Sequence, residues 1–434
     1  VVVPAAPQNF IFMGLLGTKH LMPAGGNGKT ALRRCPPERR AGILAGVRIH
    51  RILAEGAAAV LHGVLEDGRV LDRELDALFR DRPKWGKRDR NFVAATVFES
   101  VRWRRALAFI AGDPSVAALC AAHWHRSGAE IPEAWPLRPD PGWDERAQAL
   151  HAQPRAVRES VPDWLDALAA EELGEDRWTR ELAALNRRAP VFLRVNRLRA
   201  TVAEARAWLR EHGVETEAVG ADALVLPEGK LLPKPLATAG MVEIQDAGSQ
   251  RIAPLLAVEP GMRVIDACAG AGGKTLHLAA LMQGRGEIVA MDISAGKLAE
   301  LRRRAGVAGT RIIRTETWRE DCLKRYGGWA DRVLIDAPCS GLGTLRRQPD
   351  LKWRLTPESL ARTKRLQRRM LDHYPTLLRP GGKFVYATCS LLPSENAGQL
   401  AALRERDPRW EIEDEDRVSP ADSGFDGFYA ARAR

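Results

Sequence analysis

The sequence predicts an α/β protein: a doubly wound, mostly parallel sheet in the C-terminal half, preceded by a small α+β subdomain and an all-helical bundle. Three observations carry this. From Gly261 onward, short apolar strands alternate with helical stretches, the βαβ pattern of a sheet covered on both faces. Residues 161–245 mix helical segments with short β-branched and aromatic runs. From Gly42 to Ala111, apolar residues recur at helical spacing.

In chain order, residues 1–40 are rich in Gly, Pro and Ala without a sustained period, and are expected to be partly disordered. Pro23 to Thr30 looks like a phosphate-binding loop, but it has Pro23 in place of the first glycine and no preceding strand. Residues 41–160 are expected to form the bundle and a Pro- and Trp-containing linker from about 126. A helix is expected from Val161 to about Asn186, a strand over Val191–Val195, a helix from Val202 to His212, and short strands near 223–226 and 241–244. Residues 246–434 make the large domain, with strands at 263–266, 287–292, 311–314, 332–336 and 383–388.

Composition limits the function classes. The chain has 434 residues, is 45% hydrophobic and 28% charged, and has no run near the roughly 18 apolar residues of a membrane span. Residues 1–17 have no basic region before the apolar part and read as a ragged start rather than a signal peptide, so the expected location is cytoplasmic. Sixty-six Lys plus Arg against 55 Asp plus Glu give a net charge of +11, which favours a polyanionic partner. The six cysteines show no Cys-x-x-Cys spacing, so free thiols fit better than a zinc site or a disulfide scaffold.

In a doubly wound sheet the ligand lies beyond the carboxyl ends of the strands, and the suspicious residues fall there. After the first strand comes Asp266-Ala-Cys-Ala-Gly-Ala-Gly-Gly-Lys-Thr275, a glycine-rich turn entering a helix. Its glycines permit close backbone approach to a ligand, and the helix start presents N–H groups. The second strand ends at Asp292, placed either to hold the two hydroxyls of a ribose or to cap the helix that starts near Ser294. From Gly270 the third glycine of a dinucleotide fingerprint would fall at Thr275, so adenosylmethionine fits better than NAD. The fourth strand runs into Asp336-Ala-Pro-Cys-Ser340 and the fifth into Thr388-Cys-Ser390. Neighbouring strands lie about 4.8 Å apart, so both thiols can reach one substrate ring.

These blocks, with Arg346-Arg-Gln-Pro-Asp-Leu-Lys-Trp353, Tyr386-Ala-Thr-Cys-Ser390 and Gly424-Phe-Asp-Gly-Phe-Tyr429, together resemble the Sun/RsmB-type RNA (cytosine-5) methyltransferases from about residue 160 to the end. The bundle, through Lys87 to Val93, resembles a shortened NusB-like RNA-binding domain. The resemblance implies a Rossmann-like methyltransferase domain with S-adenosyl-L-methionine cradled by Cys268, Ala269, Gly270, Ala271, Gly272, Gly273 and Lys274, and with Asp292 on the ribose. It implies that Asp336 lies beside cofactor and base, that Cys389 is the nucleophile and that Cys339 assists release. Two departures stand out. Gly270-Ala271 replaces the usual Ala-Pro, and Glu316 stands where an Asp usually follows the third strand and contacts adenine.

The chemistry accounts for the residue types. A thiolate adding to carbon 6 of cytosine makes carbon 5 nucleophilic. A carboxyl such as Asp336 stabilises that adduct at the ring nitrogen and amine, and a second thiolate, Cys339, suits removal of the carbon-5 proton. No metal is required. Arg346, Arg347 and Lys352 are expected to contact RNA, and Trp353 either stacks on a base or packs within the protein. Lys364, Arg365, Arg368 and Arg369 on the next helix form either a second RNA contact or a solvated face. The NusB-like start tilts the expected substrate toward ribosomal over transfer RNA, and a monomer is the default. A non-catalytic RNA-binding assembly factor is the rival from another class.

Overall fold

The computed structural model describes residues 49–434. The phosphate-loop lookalike, the segment 1–40 and the first residues of the expected bundle lie outside them. Two compact units emerge, one of residues 49–168 with 348–354, the other of 169–347 with 355–434.

The first unit is helical. Helices Arg51–Leu65, Leu71–Asp81, Lys87–Arg102, Arg104–Ala111 and Val116–Arg126 pack around Leu61, Leu75, Val97, Ile110 and Trp124, all fully buried. Local chemistry sets the breaks: Gly112, at φ 71°, ends one helix, and the Ser115 side chain caps the next by accepting from the Ala118 N–H. The stretch from 126 to 160 is more ordered than a linker. It carries helices Gly142–Ala149 and Arg155–Arg158, and Trp143 is 1% exposed because it fills the core beside Leu119 and Ile110.

The short helix Leu351–Arg354 belongs to this unit; it overturns the RNA contact expected of Lys352 and gives the Trp353 indole a backbone partner. Lys352, 1% exposed, donates from Nζ to the Arg102 carbonyl at 2.9 Å, and the Trp353 indole donates to the Val101 carbonyl at 2.7 Å. Both satisfy orphan carbonyls at the end of helix Lys87–Arg102. Burial and the neighbouring Arg102 push the Lys352 pKa well down, the opposite of what a phosphate contact needs.

In the second unit, the expected helix over 161–186 is two, Asp163–Leu173 and Glu175–Leu185, broken at Gly174 with φ 87°. A four-stranded antiparallel sheet follows, made of β1 (Phe192–Val195), β2 (Glu217–Ala218), β3 (Ala223–Val225) and β4 (Val242–Ile244) in the order β2-β3-β1-β4. Helix Val202–Glu211, started by a Thr201/Glu204 capping box, packs Ala205 and Leu209 on Leu193, Val195 and Leu224.

The large sheet has seven strands: β5 (Arg263–Asp266), β6 (Glu287–Asp292), β7 (Ile313–Thr317), β8 (Ala330–Asp336), β9 (Leu378–Thr388), β10 (Ile412–Val418) and β11 (Phe428–Ala433). Their order is β10-β11-β9-β8-β5-β6-β7, with β5 to β9 parallel and β10 and β11 antiparallel. Alternate residues face opposite layers. Ile265, Val289, Val333 and Phe384 meet Met370, Leu371, Leu400 and Leu403, whereas Val264, Ile288, Leu334 and Val385 meet Ile252, Leu278 and Ala279. The third strand lies later than the sequence predicts, at 313–317 rather than 311–314, and the last parallel strand starts earlier, at Leu378. The chain winds outward from β5 through β7 and returns to β8 on the other side of β5, so the switch point lies between β5 and β8.

A buried charge network fastens the closing segment 424–427 to this unit, and it overturns the other two expected RNA contacts. Arg346 is 3% exposed and Arg347 is 7% exposed. Arg346 Nε donates to Asp426 Oδ1 at 2.6 Å and Nη2 to the Gly424 carbonyl at 2.8 Å. Arg347 Nε donates to Asp426 Oδ2 at 2.5 Å and Nη2 to Asp246 Oδ2 at 2.8 Å. Two guanidinium groups thus neutralise two buried carboxylates, and neither faces a phosphate. Burial and the neighbouring Asp426 raise the pKa of Asp246, while burial opposes but Asp426 and Asp246 outweigh it in raising that of Arg347.

Two measurements check this account. Asp426→Ala leaves both guanidinium groups to share Asp246, at 3.7 Å from Arg346 and 2.8 Å from Arg347, so urea unfolding is expected to show a loss of about 3–5 kcal/mol. Trp353→Phe keeps the ring but removes the donor to Val101, and is expected to cost about 1–3 kcal/mol in the helical unit, with no change in the salt dependence of RNA binding.

Candidate active site

The carboxyl ends of β5, β6, β8 and β9 converge on one edge of the sheet. β5 hands over to the glycine loop through Ala267, whose N–H continues the ladder to the Leu334 carbonyl. The loop then folds back on itself: the Ala269 N–H donates to Met291, and the Gly272 N–H donates to Ala269. Gly272, at φ 91°, must be glycine, because a Cβ there would lie 2.1 Å from Leu301 Cδ1. Gly270, at φ 55°, has nothing within 4 Å of where a Cβ would stand, so the loop is open on that side. Ala271, in the position where a proline is usual, is held differently: its carbonyl accepts from Arg304 Nη1 at 2.6 Å, and Arg304 also pairs with Glu243.

Below the loop, Asp266 is 1% exposed and accepts from Thr275 Oγ1 at 2.7 Å. Burial pushes its pKa up to about 7, the Thr275 hydrogen bond opposing and Asp336 adding to the rise. Cys268 lies in the same surroundings. Burial, then the carboxylates of Asp266, Asp336 and Asp292, hold its thiol well above the usual range, which makes it an inert wall of the loop.

Asp292 is not the cap of the helix that follows it. The helix Ala295–Ala308 is capped by Ser294, whose Oγ accepts from the Lys297 N–H. Asp292 instead accepts from the Gly270 N–H at 2.9 Å through Oδ2 and from the Ser294 N–H at 2.8 Å through Oδ1. It fixes the end of β6 to the glycine loop while its side chain stays partly exposed. Glu316 lies within β7, not after it, opposite Met291. Its carboxylate is engaged by Arg325 at 3.2 Å and the Tyr326 hydroxyl at 3.4 Å. Those partners turn it toward the helix after β7, and this removes the reason for assigning it an adenine contact.

Asp336, at the end of β8, accepts from Lys274 Nζ at 2.7 Å. Lys274 comes from the glycine loop and is 6% exposed, so this ion pair bridges β5 and β8 across the switch point. Burial disfavours the ammonium, but Asp336 outweighs it and carries the Lys274 pKa above the usual lysine value. Lys274 also stands 5.6 Å from the Phe428 ring centre and within electrostatic reach of Cys389.

The two thiols meet. Cys339 Sγ and Cys389 Sγ are 3.3 Å apart, a sulfur–sulfur hydrogen bond in which either is the donor. β8 and β9 pair with Asp336 opposite Ala387, and the Ala337 N–H still donates to the Ala387 carbonyl, so the two strand exits are level. The Cys389 carbonyl accepts from the Gly343 N–H, and the Gly343 carbonyl accepts from the Gly427 N–H. A Cβ on Gly343 would lie 2.1 Å from the Gly427 oxygen, so the closing segment is pressed against the Cys389 loop. The hydrogen bond with Cys389, then burial, raise the Cys339 pKa well above its usual value, so Cys339 keeps its proton at rest.

Sequence reading placed the two cysteines, Asp336 and the loop 268–274 on this edge, and the structure brings them together. It missed Glu395, Ser340 and Ser390, which lie directly behind the thiols, and Arg304. The repeated Cys-Ser at 339–340 and 389–390 was the visible signal for the serines.

Comparison with known proteins agrees with this geometry. Residues 253–433 match the family described as 16S rRNA methyltransferase RsmB/F, and residues 161–230 match the ferredoxin-like domain described for RsmF/B-like methyltransferases. The ribosomal RNA small subunit methyltransferase B of Vibrio cholerae is 34% identical over 293 residues, 64% of this chain and 65% of that protein. The enzyme of the same description from Pasteurella multocida is 35% identical over 292 residues, 63% of this chain and 65% of that protein. The chain thus spans just under two thirds of the length of these relatives. A solved methyltransferase homologue from Pyrococcus horikoshii superposes with a TM-score of 0.58 at 26% identity, covering 64% of this chain and 97% of that one. Residues 161–433 thus match, in order, the ferredoxin-like domain and the methyltransferase domain described for the RsmB/F methyltransferases.

Proposed function

We propose that this chain is an S-adenosyl-L-methionine-dependent RNA methyltransferase that modifies carbon 5 of a cytosine in small-subunit ribosomal RNA through a covalent cysteine–cytosine adduct. The observation that carries the reading is the pair of thiols 3.3 Å apart beside the Lys274–Asp336 ion pair, beyond the glycine loop. The names of the curated relatives support ribosomal RNA as the substrate.

The loop fits the cofactor. Its open side at Gly270, the helix start at Gly273 and the partly exposed Asp292 at the end of β6 offer backbone donors and one carboxylate to a nucleoside. Adenosylmethionine, when bound, supplies the methyl group on an electrophilic sulfonium. The protein's own residues do the rest. Cys389, with the Lys274 ammonium in electrostatic reach, adds as a thiolate to carbon 6 of cytosine, which makes carbon 5 nucleophilic. Asp336, held at the strand end by Lys274, supplies the carboxyl that stabilises the electron density gained by the ring nitrogen and amine. Once carbon 5 carries the methyl group, Cys339, having released its own proton to solvent, takes the carbon-5 proton as a thiolate, and the bond between the Cys389 sulfur and carbon 6 breaks to return Cys389 as a thiolate.

The high proton affinity of Cys339 fits this order. It arises first from Cys389, and that contribution vanishes once the Cys389 sulfur is bonded to carbon. Cys339 therefore becomes easier to ionise at the step that needs a base.

With Arg346, Arg347 and Lys352 buried and the Trp353 indole N–H given to the Val101 carbonyl, the RNA contact moves to helix Pro357–His373. Its buried side, through Gln367, donates to the Pro338 carbonyl next to the Cys339 loop. Arg362, Arg365, Arg368 and Arg369 are exposed on the same helix, a basic face beside the thiol edge.

Two experiments test this reading. Cys389→Ala is expected to abolish both methylation and the covalent RNA adduct, whereas Cys339→Ala is expected to stall as an adduct that survives denaturing electrophoresis with adenosylmethionine present. An adduct with Cys389→Ala alone would reverse the roles, and full activity in both variants would end covalent catalysis here. For the helix, four phosphate contacts to single-stranded RNA give a log–log salt slope of about −3, and replacing Arg365 and Arg369 by Ala is expected to flatten it by about 1.4. An unchanged slope would move the RNA elsewhere.

A further inference from the structure

Glu395 is fully buried, at 0% exposure, yet it touches neither the glycine loop nor the sulfur atoms directly. Its carboxylate gathers four donors. Oε2 accepts from Ser340 Oγ and from Ser390 Oγ, each at 2.5 Å. Oε1 accepts from the Ser340 N–H at 2.9 Å and from Gln367 Nε2 at 3.1 Å. The serine hydroxyls are 3.1 Å from each other. Ser340 directly follows Cys339, and Ser390 directly follows Cys389.

We infer that Glu395 is a positioning residue that ties the two cysteine-bearing loops together and sets the approach of Cys339 Sγ to Cys389 Sγ. The inference rests on the two-thiol chemistry above but concerns a group to which nothing so far assigns a role. Geometry alone carries it: one carboxylate spans the residues that follow both cysteines, and among the described residues no third side chain bonds to both Ser340 and Ser390. The Glu395 backbone is fixed in turn, since its carbonyl accepts from the Tyr386 hydroxyl at 2.6 Å. Burying a carboxylate is unfavourable unless donors surround it, and here every neighbour within reach is a donor. Burial raises its pKa, and the hydrogen bonds from Ser340, Ser390 and Gln367 counter that rise. An amide of the same shape fails at this position. Glu395→Gln turns its Nε2 toward the serine hydroxyls, which can accept from it only as their own protons lose the carboxylate acceptor, so the charge-assisted contacts are lost.

The test uses the sulfur pair itself as the gauge. In the purified full chain without RNA or cofactor, the oxidant diamide accepts two electrons and two protons from the thiols, forming the Cys339–Cys389 disulfide and a hydrazine. Its rate, read by mass spectrometry of the linked peptides well below the unfolding temperature, reports how often the sulfurs meet. Glu395→Gln is expected to slow it about tenfold, and to lower kcat for RNA methylation by a similar factor with KM unchanged. Should Glu395→Gln not fold, Ser340→Ala and Ser390→Ala each remove one donor from the carboxylate, and each is expected to slow the disulfide several-fold. Parental disulfide rates in folded Glu395→Gln, or in both serine variants, would overturn the inference. The disulfide needs neither substrate nor cofactor. A parent chain that oxidises rapidly but never methylates would sink the proposed function and leave the positioning role intact.

Discussion

The ion pair between Lys274 and Asp336 is the interaction on which the site depends. It spans the switch point, where the crossover after β5 and the return to β8 leave a crevice between two parallel strands. Each partner serves a different loop. Lys274 anchors the start of the helix behind the glycine turn, and Asp336 opens the segment that leads to Cys339. With both side chains largely buried, breaking the pair would leave one charge without a partner, so the two loops move as one body. The same pair sets the local field. It holds a positive charge within electrostatic reach of Cys389.

Behind this edge the protein uses polar knots where the rest of the domain uses apolar packing. Interior strands are covered on both faces by Leu, Ile, Val and Phe, but the loops at their carboxyl ends cannot be, because they must reach a solvent-facing ligand. Arg346 and Arg347 with Asp246 and Asp426 fasten the closing segment. Glu395 with Ser340, Ser390 and Gln367 fastens the cysteine loops. Such networks are directional. A hydrocarbon contact tolerates sliding, whereas a carboxylate that accepts from two hydroxyls fixes the separation of their backbones. That suits a reaction that needs two sulfur atoms within reach of one ring.

The electrostatic excess of the chain is spent unevenly. Several of the arginines nearest the site in sequence are neutralised inside the fold, as Arg346, Arg347 and Arg304 show. Those of helix Pro357–His373 project outward. Net charge alone therefore says that a polyanion is favoured, but not which cations meet it. A basic residue beside a catalytic motif is as often part of the scaffold that holds the motif as part of the surface that binds substrate.

The sequence by itself determined the βαβ winding, the strands that end in Asp266, Asp292, Asp336 and Thr388, and the two cysteines. These are local properties: apolar periodicity, glycine turns and residue types at strand ends. Strand limits were less legible, as at β7, where polar residues such as Arg314 and Glu316 continue the ladder beyond the apolar pair Ile312-Ile313 that marks it. The break at Gly174 was hidden because helical spacing resumes directly after it. Only tertiary structure decided which charges are free, since whether Arg346 meets a phosphate or Asp426 depends on a partner 80 positions away. It alone showed Glu395 behind both thiols, because a buried carboxylate is revealed by the donors that surround it, and those donors come from three separate segments of the chain.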